Sequence, residues 1–275
     1  MTIDLPPLRE IIERYDLAAK KSLGQHFLLD LNITRKIARA GDVGAGDVVL
    51  EIGPGPGGLT RALLEAGAQV IAIERDKRCI DALNELGAAY PGKLQIIEAD
   101  ALKISEAEIV ADAALVKIIA NLPYNISTEL LIKWLKAGPA LWRRMALMFQ
   151  KEVADRILAA PGSKTYGRLS VIAQATASPS RAFDLPARAF TPPPKVDSTV
   201  VLFEPASDSF AEIEALEKVT QAAFSQRRKM LRSSLKSVFG AHLADALDKA
   251  GIPETVRAED VSVAQYKILA ALAAA

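Results

Sequence analysis

The stretch Val48-Val49-Leu50-Glu51-Ile52-Gly53-Pro54-Gly55-Pro56-Gly57-Gly58-Leu59-Thr60 decides the fold of this chain. Its first part is apolar and β-branched and reads as a strand. Its end runs into a helical pattern that holds Leu59, Leu63 and Leu64. Between the two lies a turn of glycines and prolines. Glycine accepts positive φ and lets the backbone come close to a ligand. The helix that follows points its N-terminus at the same place.

Outward from this unit, short apolar runs at 69–73, 94–97, 115–120 and 145–149 alternate with helical patterns. Strands spaced in this way form right-handed crossovers and a parallel sheet covered by helices on both faces. Runs at 170–177 and 199–203 read as two more strands. The segment between them, 186–194, is rich in proline, so the last strand is expected to enter the sheet antiparallel. The expected fold is α/β and Rossmann-like, with a mostly parallel seven-stranded sheet. After Glu204-Pro205 only helical periodicity remains, through Ile213, Leu216, Val219 and Ala223, then Leu231 and Leu235, then Tyr266 and Leu269. This predicts a main domain over 1–204 and a small all-helical domain over 205–275.

Half of the 275 residues are hydrophobic and 24% are charged, an ordinary globular composition with enough apolar material for a large core. The single cysteine, Cys79, allows no internal disulfide and no cysteine-based zinc site, so no metal is expected. It fits a reducing cytoplasmic setting and is read as a packing residue. No signal peptide is expected, because Asp4, Arg9 and Glu10 interrupt any apolar run at the N-terminus. The apolar tail 268–275 is too short to span a bilayer, so no membrane partner is expected. The net charge of +1 makes no case for nucleic acid. Local charge does: 221–240 holds Arg227, Arg228, Lys229, Arg232 and Lys236 with no acidic residue. A basic run of this kind also fits a solvated helix face.

The glycine turn satisfies Gly-x-Gly-x-x-Gly through Gly53, Gly55 and Gly58, so the glycines alone also fit a nicotinamide dinucleotide. Pro54 and Pro56 remove two backbone donors that a pyrophosphate would use. Glu51 is an anion, awkward beside phosphates and suited to a sulfonium or an amino group. Glu74 ends the second strand, where a carboxylate accepts ribose hydroxyls. Asp100 follows the third strand and could accept from an adenine amine, and Asn121 closes the fourth. All of these stand at the carboxyl ends of successive strands, where ligands bind in open α/β sheets.

Asn121-Leu122-Pro123-Tyr124-Asn125-Ile126-Ser127 follows that fourth strand. Pro123 fixes its own φ and biases Leu122 away from helix, so the turn has few shapes. The Asn121 oxygen and nearby carbonyls accept hydrogen bonds from an amine, and the Tyr124 ring stacks on a flat partner. The pattern suits a planar ring that carries an amino group.

With these residues assembled, the chain resembles the ribosomal RNA adenine dimethyltransferases, and most closely their bacterial small-subunit branch. The resemblance spans nearly the whole chain. It rests on Ser22-Leu23-Gly24-Gln25-His26-Phe27-Leu28, the Glu51 to Thr60 motif, Asp100-Ala101-Leu102, the Asn121 to Ser127 motif, Phe190-Thr191-Pro192-Pro193-Pro194-Lys195-Val196-Asp197-Ser198, and Phe224-Ser225-Gln226-Arg227-Arg228-Lys229. It implies a Rossmann-like S-adenosylmethionine-dependent methyltransferase that dimethylates adenine N6 in two adjacent adenosines of 16S rRNA in the small ribosomal subunit. S-adenosyl-L-methionine is the implied cofactor. Gln25, His26 and Leu28 would line its methionine side, His26 standing where relatives often have Asn. Glu51, Gly53 and Gly55 would lie along the methionine part, Glu74 at the ribose, Asp100 at the adenine amine, and Asn121 between cofactor and target. Asn121 and the Leu122 carbonyl would hold the target amine, with Tyr124 and Phe190 stacked on the two faces of the base. Arg227, Arg228 and Lys229 would grip RNA phosphates. A cytoplasmic monomer is expected.

The alternatives are a large-subunit ribosomal RNA adenine methyltransferase, a DNA adenine methyltransferase, and a non-catalytic RNA-binding assembly factor on the same fold. Leu122, where DNA enzymes carry Pro, speaks against DNA. The presence of every expected catalytic group speaks against a non-catalytic factor.

Overall fold

The computed structural model describes residues 5–275 except 18, 20–23, 111–115, 209 and 228. Its strands are β1 (Phe27–Leu28), β2 (Val48–Ile52), β3 (Gln69–Glu74), β4 (Leu94–Glu98), β5 (Val116–Ala120), β6 (Trp142–Gln150), β7 (Ala177–Leu185), β8 (Phe190–Thr191) and β9 (Ser198–Pro205). Seven of them form one sheet in the order β4-β3-β2-β5-β6-β9-β7, and β1 pairs with β8 apart from it. β2, β3, β4, β5 and β6 run parallel. β9 pairs antiparallel with β6, with Ala146 opposite Leu202, as the proline-rich approach predicts.

The central parallel strands β2, β3 and β5 are buried along nearly their whole length, as strands covered on both faces are. Every residue of β5 is buried, Lys117 included. Lys117 ends on Asp47 at 2.9 Å, so its charge is paired at the edge opposite the strand ends that carry the ligand-type residues. The helix Gly58–Glu65 buries Leu59, Ala62, Leu63 and Leu64 against this core.

One expected strand is a helix. Residues 170–176 lie in the helix Arg168–Thr176, and the strand begins only at Ala177. A short apolar run such as Val171-Ile172-Ala173 does not separate a buried helix from a buried strand by periodicity. Here Gly167 donates its N–H to the Ser170 hydroxyl at the helix start, and Ser170 to Ala173 are buried all round. Leu115, expected to open β5, lies outside the described residues.

The chain divides into two units. One comprises the residues up to Lys151 with Ser180–Glu204, and the other Glu152–Pro179 with Pro205–Ala275. A cut at 205 therefore captures only one of the crossings, since Glu152–Pro179 belongs with the helical unit. That unit has its own core of Tyr166, Leu216, Val219, Leu231, Tyr266 and Leu269. Both tyrosines satisfy their hydroxyls on backbone, Tyr166 on Val261 O and Tyr266 on Ala258 O. Phe224 packs against both rings.

Candidate active site

In the first unit the carboxyl ends of β2, β3, β4 and β5 open into one cavity, which Gly24 to Leu28 also line. Gly53 (φ +67°) and Gly55 (φ +56°) take left-handed backbone that a side chain would strain. A Cβ on Gly53 would come to 3.4 Å from the Pro123 ring, and one on Gly55 to 2.9 Å from Phe27. The glycine turn thus sits directly against the Asn121 to Tyr124 turn.

Glu74 ends β3, nearly buried. Its Oε1 accepts from the N–H groups of Arg75 and Asp76, both at 2.8 Å, and its Oε2 from Gly55 at 3.1 Å. Burial pushes its carboxyl up, and these three backbone donors pull it back. The carboxylate is therefore fixed in place at the cavity wall and locked to the glycine turn.

Glu51 is 1% exposed and lines the same cavity, and its Oε2 has no hydrogen-bond partner. Burial pushes its carboxyl up to about 8, the Glu74 charge adds to this, and the Thr60 hydroxyl acts the other way. A buried acceptor left unpaired is costly, so such an atom in a cavity marks a place for a donor or a cation.

Asp100 follows β4. Its Oδ1 accepts from Leu102 N at 3.2 Å, and its Oδ2 lies 3.4 Å from the exposed Arg75 guanidinium. The helix Ser127–Ala137 braces this loop. Lys133 Nζ donates to Ala101 O at 2.8 Å and Ile104 O at 2.6 Å, and pairs with the buried Glu106 at 2.7 Å. Trp134 Nε1 donates to the same Glu106. Sequence reading missed both Arg75 and Lys133. A lone Lys amid Leu-Ile-Lys-Trp-Leu carries no signal of its own, although the buried Trp134 beside it is a reason to look.

Asn121 Nδ2 donates to the His26 carbonyl at 3.0 Å. This leaves Asn121 Oδ1 as the acceptor at the end of β5. Tyr124 is tethered through its hydroxyl to Ser198 Oγ at 2.6 Å and through its carbonyl to Ser127 Oγ at 3.1 Å. The His26 ring stacks on Tyr124, with centroids 5.4 Å apart and planes at 28°, and its Nδ1 donates to Pro192 O at 2.8 Å. Gln25 reaches Asp76 at 3.4 Å, and Leu28 lines the cavity beside Phe27.

The structure brings together Gln25, His26, Leu28, Glu51, Gly53, Gly55, Glu74, Asp100, Asn121, Leu122 and Tyr124. Phe190 stands apart from these. It does not line the cavity, and its side chain is 3% exposed in the apolar cluster with Leu28, Ile37 and Leu185. β8 places Phe190 opposite Leu28 in β1, and both side chains belong to that cluster. In this structure Tyr124 has His26 as its stacking neighbour instead.

In the second unit, Arg227 is already engaged, by Glu259 at 2.7 Å and by Lys164 O at 2.8 Å. Lys229 is exposed. Arg228 lies outside the described residues. Among the described residues no cluster of His, Cys, Asp and Glu has the arrangement of a metal site, and no helix is long and apolar enough to cross a membrane.

The glycine turn that a side chain would fill, the orphaned Glu51 oxygen and the clamped Glu74 fit a nucleoside with a cationic tail, which is the chemistry of S-adenosylmethionine. Together with the strand order they define the class: a Rossmann-like, S-adenosylmethionine-dependent methyltransferase with a helical second unit. The model of the family described as Ribosomal RNA adenine dimethylase matches residues 17–274, and this chain belongs to that family. It is 56% identical to the ribosomal RNA small subunit methyltransferase A of Chelativorans sp. (strain BNC1), over 98% of this chain and 99% of that one. It is 58% identical to the protein of the same name from Phenylobacterium zucineum (strain HLK1), over 97% and 92%. Of solved structures, a dimethyladenosine transferase from Plasmodium falciparum superposes with a TM-score of 0.76 at 28% identity, covering 89% of this chain and 96% of the other. The 23S rRNA methyltransferase ErmE shares the fold, with a TM-score of 0.68 at 24% identity over 89% and 98%. The enzyme is thus a ribosomal RNA adenine dimethyltransferase.

Proposed function

We propose that this chain dimethylates N6 of two adjacent adenosines in a 3′-terminal hairpin loop of 16S rRNA, in the small ribosomal subunit or its 30S precursor. It would do so as a cytoplasmic monomer, with a part in 30S biogenesis. The near full-length identity to small-subunit enzymes supports this substrate over large-subunit RNA.

The observation that carries the chemistry is the Asn121–His26 hydrogen bond. By spending its N–H on a carbonyl, Asn121 keeps its oxygen for the amine of an extruded base. S-adenosylmethionine supplies, when bound, a methyl group activated by a sulfonium. Glu74 would hold its ribose, Asp100 its adenine amine, and Gln25, His26, Leu28, Glu51, Gly53 and Gly55 its methionine side. Asn121 Oδ1 and the Leu122 carbonyl accept from the target N6 and hold its lone pair out of the ring plane. Tyr124, tied down by Ser198 and Ser127, offers the stacking face, worth about 1–3 kcal/mol for a base. The acceptor is a weak nucleophile and the sulfonium methyl a strong electrophile with a good leaving group, so the site's task is alignment, which can supply roughly 7–11 kcal/mol. After one transfer N6 keeps a single hydrogen, so two acceptors hold the first substrate and one suffices for the second. Lys229 is exposed and supports a phosphate contact, with Arg227 and Arg228 beside it in sequence.

The test is methyl transfer by the purified protein to immature small subunits and, separately, to free large-subunit RNA. Dimethyladenosine confined to the small subunit is the expected result. Transfer only to large-subunit RNA, or cofactor binding with no transfer, would favour the alternatives.

A further inference from the structure

Two buried carboxyl groups face one cavity with no buried cation to balance them. Glu51 comes from β2 and Glu74 from β3, and the other titratable side chains on the cavity wall are His26, Arg75, Asp100 and Tyr124. Arg75 is 67% exposed and turned to Asp100, and the His26 ring is committed to Pro192 O and Tyr124. Glu74 has three backbone donors that offset part of the cost of its burial. At Glu51 the Oε2 is orphaned, and Glu51 faces Ala72 on one side within the sheet, with the uncharged Thr60 hydroxyl nearby.

We propose that Glu51 holds a proton in the empty site and releases it to solvent when the cationic end of the methyl donor enters, so that cofactor binding is coupled to deprotonation. The physical reason is that burial penalises a lone carboxylate and an adjacent cation removes the penalty. The raised carboxyl described above agrees with this. Glu51 then acts as a charge filter, since an uncharged nucleoside of the same shape gains nothing from it. The cation is either the sulfonium or the ammonium of the methionine moiety, and the spent cofactor S-adenosylhomocysteine, which keeps only the ammonium, tells them apart.

The measurement is calorimetric titration of the full-length protein at pH 7 in buffers of different ionisation enthalpy, which counts protons released per cofactor bound. S-adenosylmethionine should release close to one proton from the wild-type protein, and Glu51→Gln should abolish the release while still binding cofactor. Equal release with S-adenosylhomocysteine assigns the ammonium, and release with S-adenosylmethionine alone assigns the sulfonium. Below pH 7 wild-type affinity should fall roughly tenfold per pH unit, and the variant's should stay flat. Zero proton release by the wild-type protein, or the same count in Glu51→Gln, overturns the proposal. Absence of cofactor binding altogether would instead contradict the cofactor assignment, and the same titration shows it.

Discussion

Asn121 Nδ2 lies 3.0 Å from the His26 carbonyl oxygen. That contact ties the turn after β5 to the Gly24 to Leu28 segment of the cavity wall, and it leaves the amide oxygen as the acceptor. Replacing Asn121 with Ala removes both the acceptor and the tie. Turnover should fall about 10²-fold, the scale of a lost alignment. Cofactor affinity, measured by titration, should change far less.

Lys133 spends its donors on the loop that carries Asp100, at Ala101 O and Ile104 O, and on Glu106. Lys133→Met leaves the buried Glu106 with only Trp134. The expected effect is a KM for S-adenosylmethionine raised about tenfold, in line with a charged hydrogen bond worth roughly 1.5–3 kcal/mol. The kcat should be nearly unchanged, because the Asn121 turn keeps its own contacts. Steady-state kinetics at saturating RNA separate the two constants.

Phe190 distinguishes a core role from a stacking role. As a buried side chain in the cluster with Leu28 and Ile37, its change to Ala should cost about 3–5 kcal/mol of stability in denaturant unfolding. Phe190→Leu keeps most of the volume and should retain activity at low temperature. Loss of activity in Phe190→Leu with stability intact would restore the stacking role.

Glu51 makes stability depend on pH with a definite sign. Its carboxyl rises from 4.5 to about 8 on folding, so between those values the native state binds more protons than the unfolded chain. Stability from this group is therefore present below pH 4.5 and is lost as pH rises through 8, by about 1.4 kcal/mol per pH unit at the steepest. Glu51→Gln should flatten this part of the profile and be relatively more stable at pH 8. Unfolding midpoints at pH 6 and pH 8 for both proteins give the slope.

The basic motif of the second unit separates into two behaviours. Lys229→Ala removes an exposed charge and should lower the slope of log K against log salt for RNA binding by about 1, with little change in melting. Arg227→Ala breaks the contacts with Glu259 and Lys164 O and should also lower the melting temperature of the unit.

Much of this site is legible in the sequence because its residues sit at strand ends, where local pattern and position coincide. Glu51, Glu74, Asp100 and Asn121 each follow an apolar run, so the sheet alone brings them together. What escapes is tertiary. Phe190 looks available in a proline-rich segment, and only the tertiary packing shows it 3% exposed within an apolar cluster. Lys133 acts through backbone carbonyls of a loop remote in sequence, which no motif records. The stretch 170–176 is buried on nearly every side, so neither period wins, and its packing among other helices goes with a helix. For the same reason Glu152–Pro179 joins the helical unit although the chain has yet to complete its sheet.

The most direct test of the central claim is mass mapping of small-subunit RNA from cells that lack this gene, with the gene restored as wild type or as Asn121→Ala. The account predicts that two adjacent dimethyladenosines near the 3′ end of 16S rRNA are missing in the deletion, return with the wild-type gene, and stay missing with Asn121→Ala. Their presence in the deletion strain, or their full return with Asn121→Ala, would contradict it.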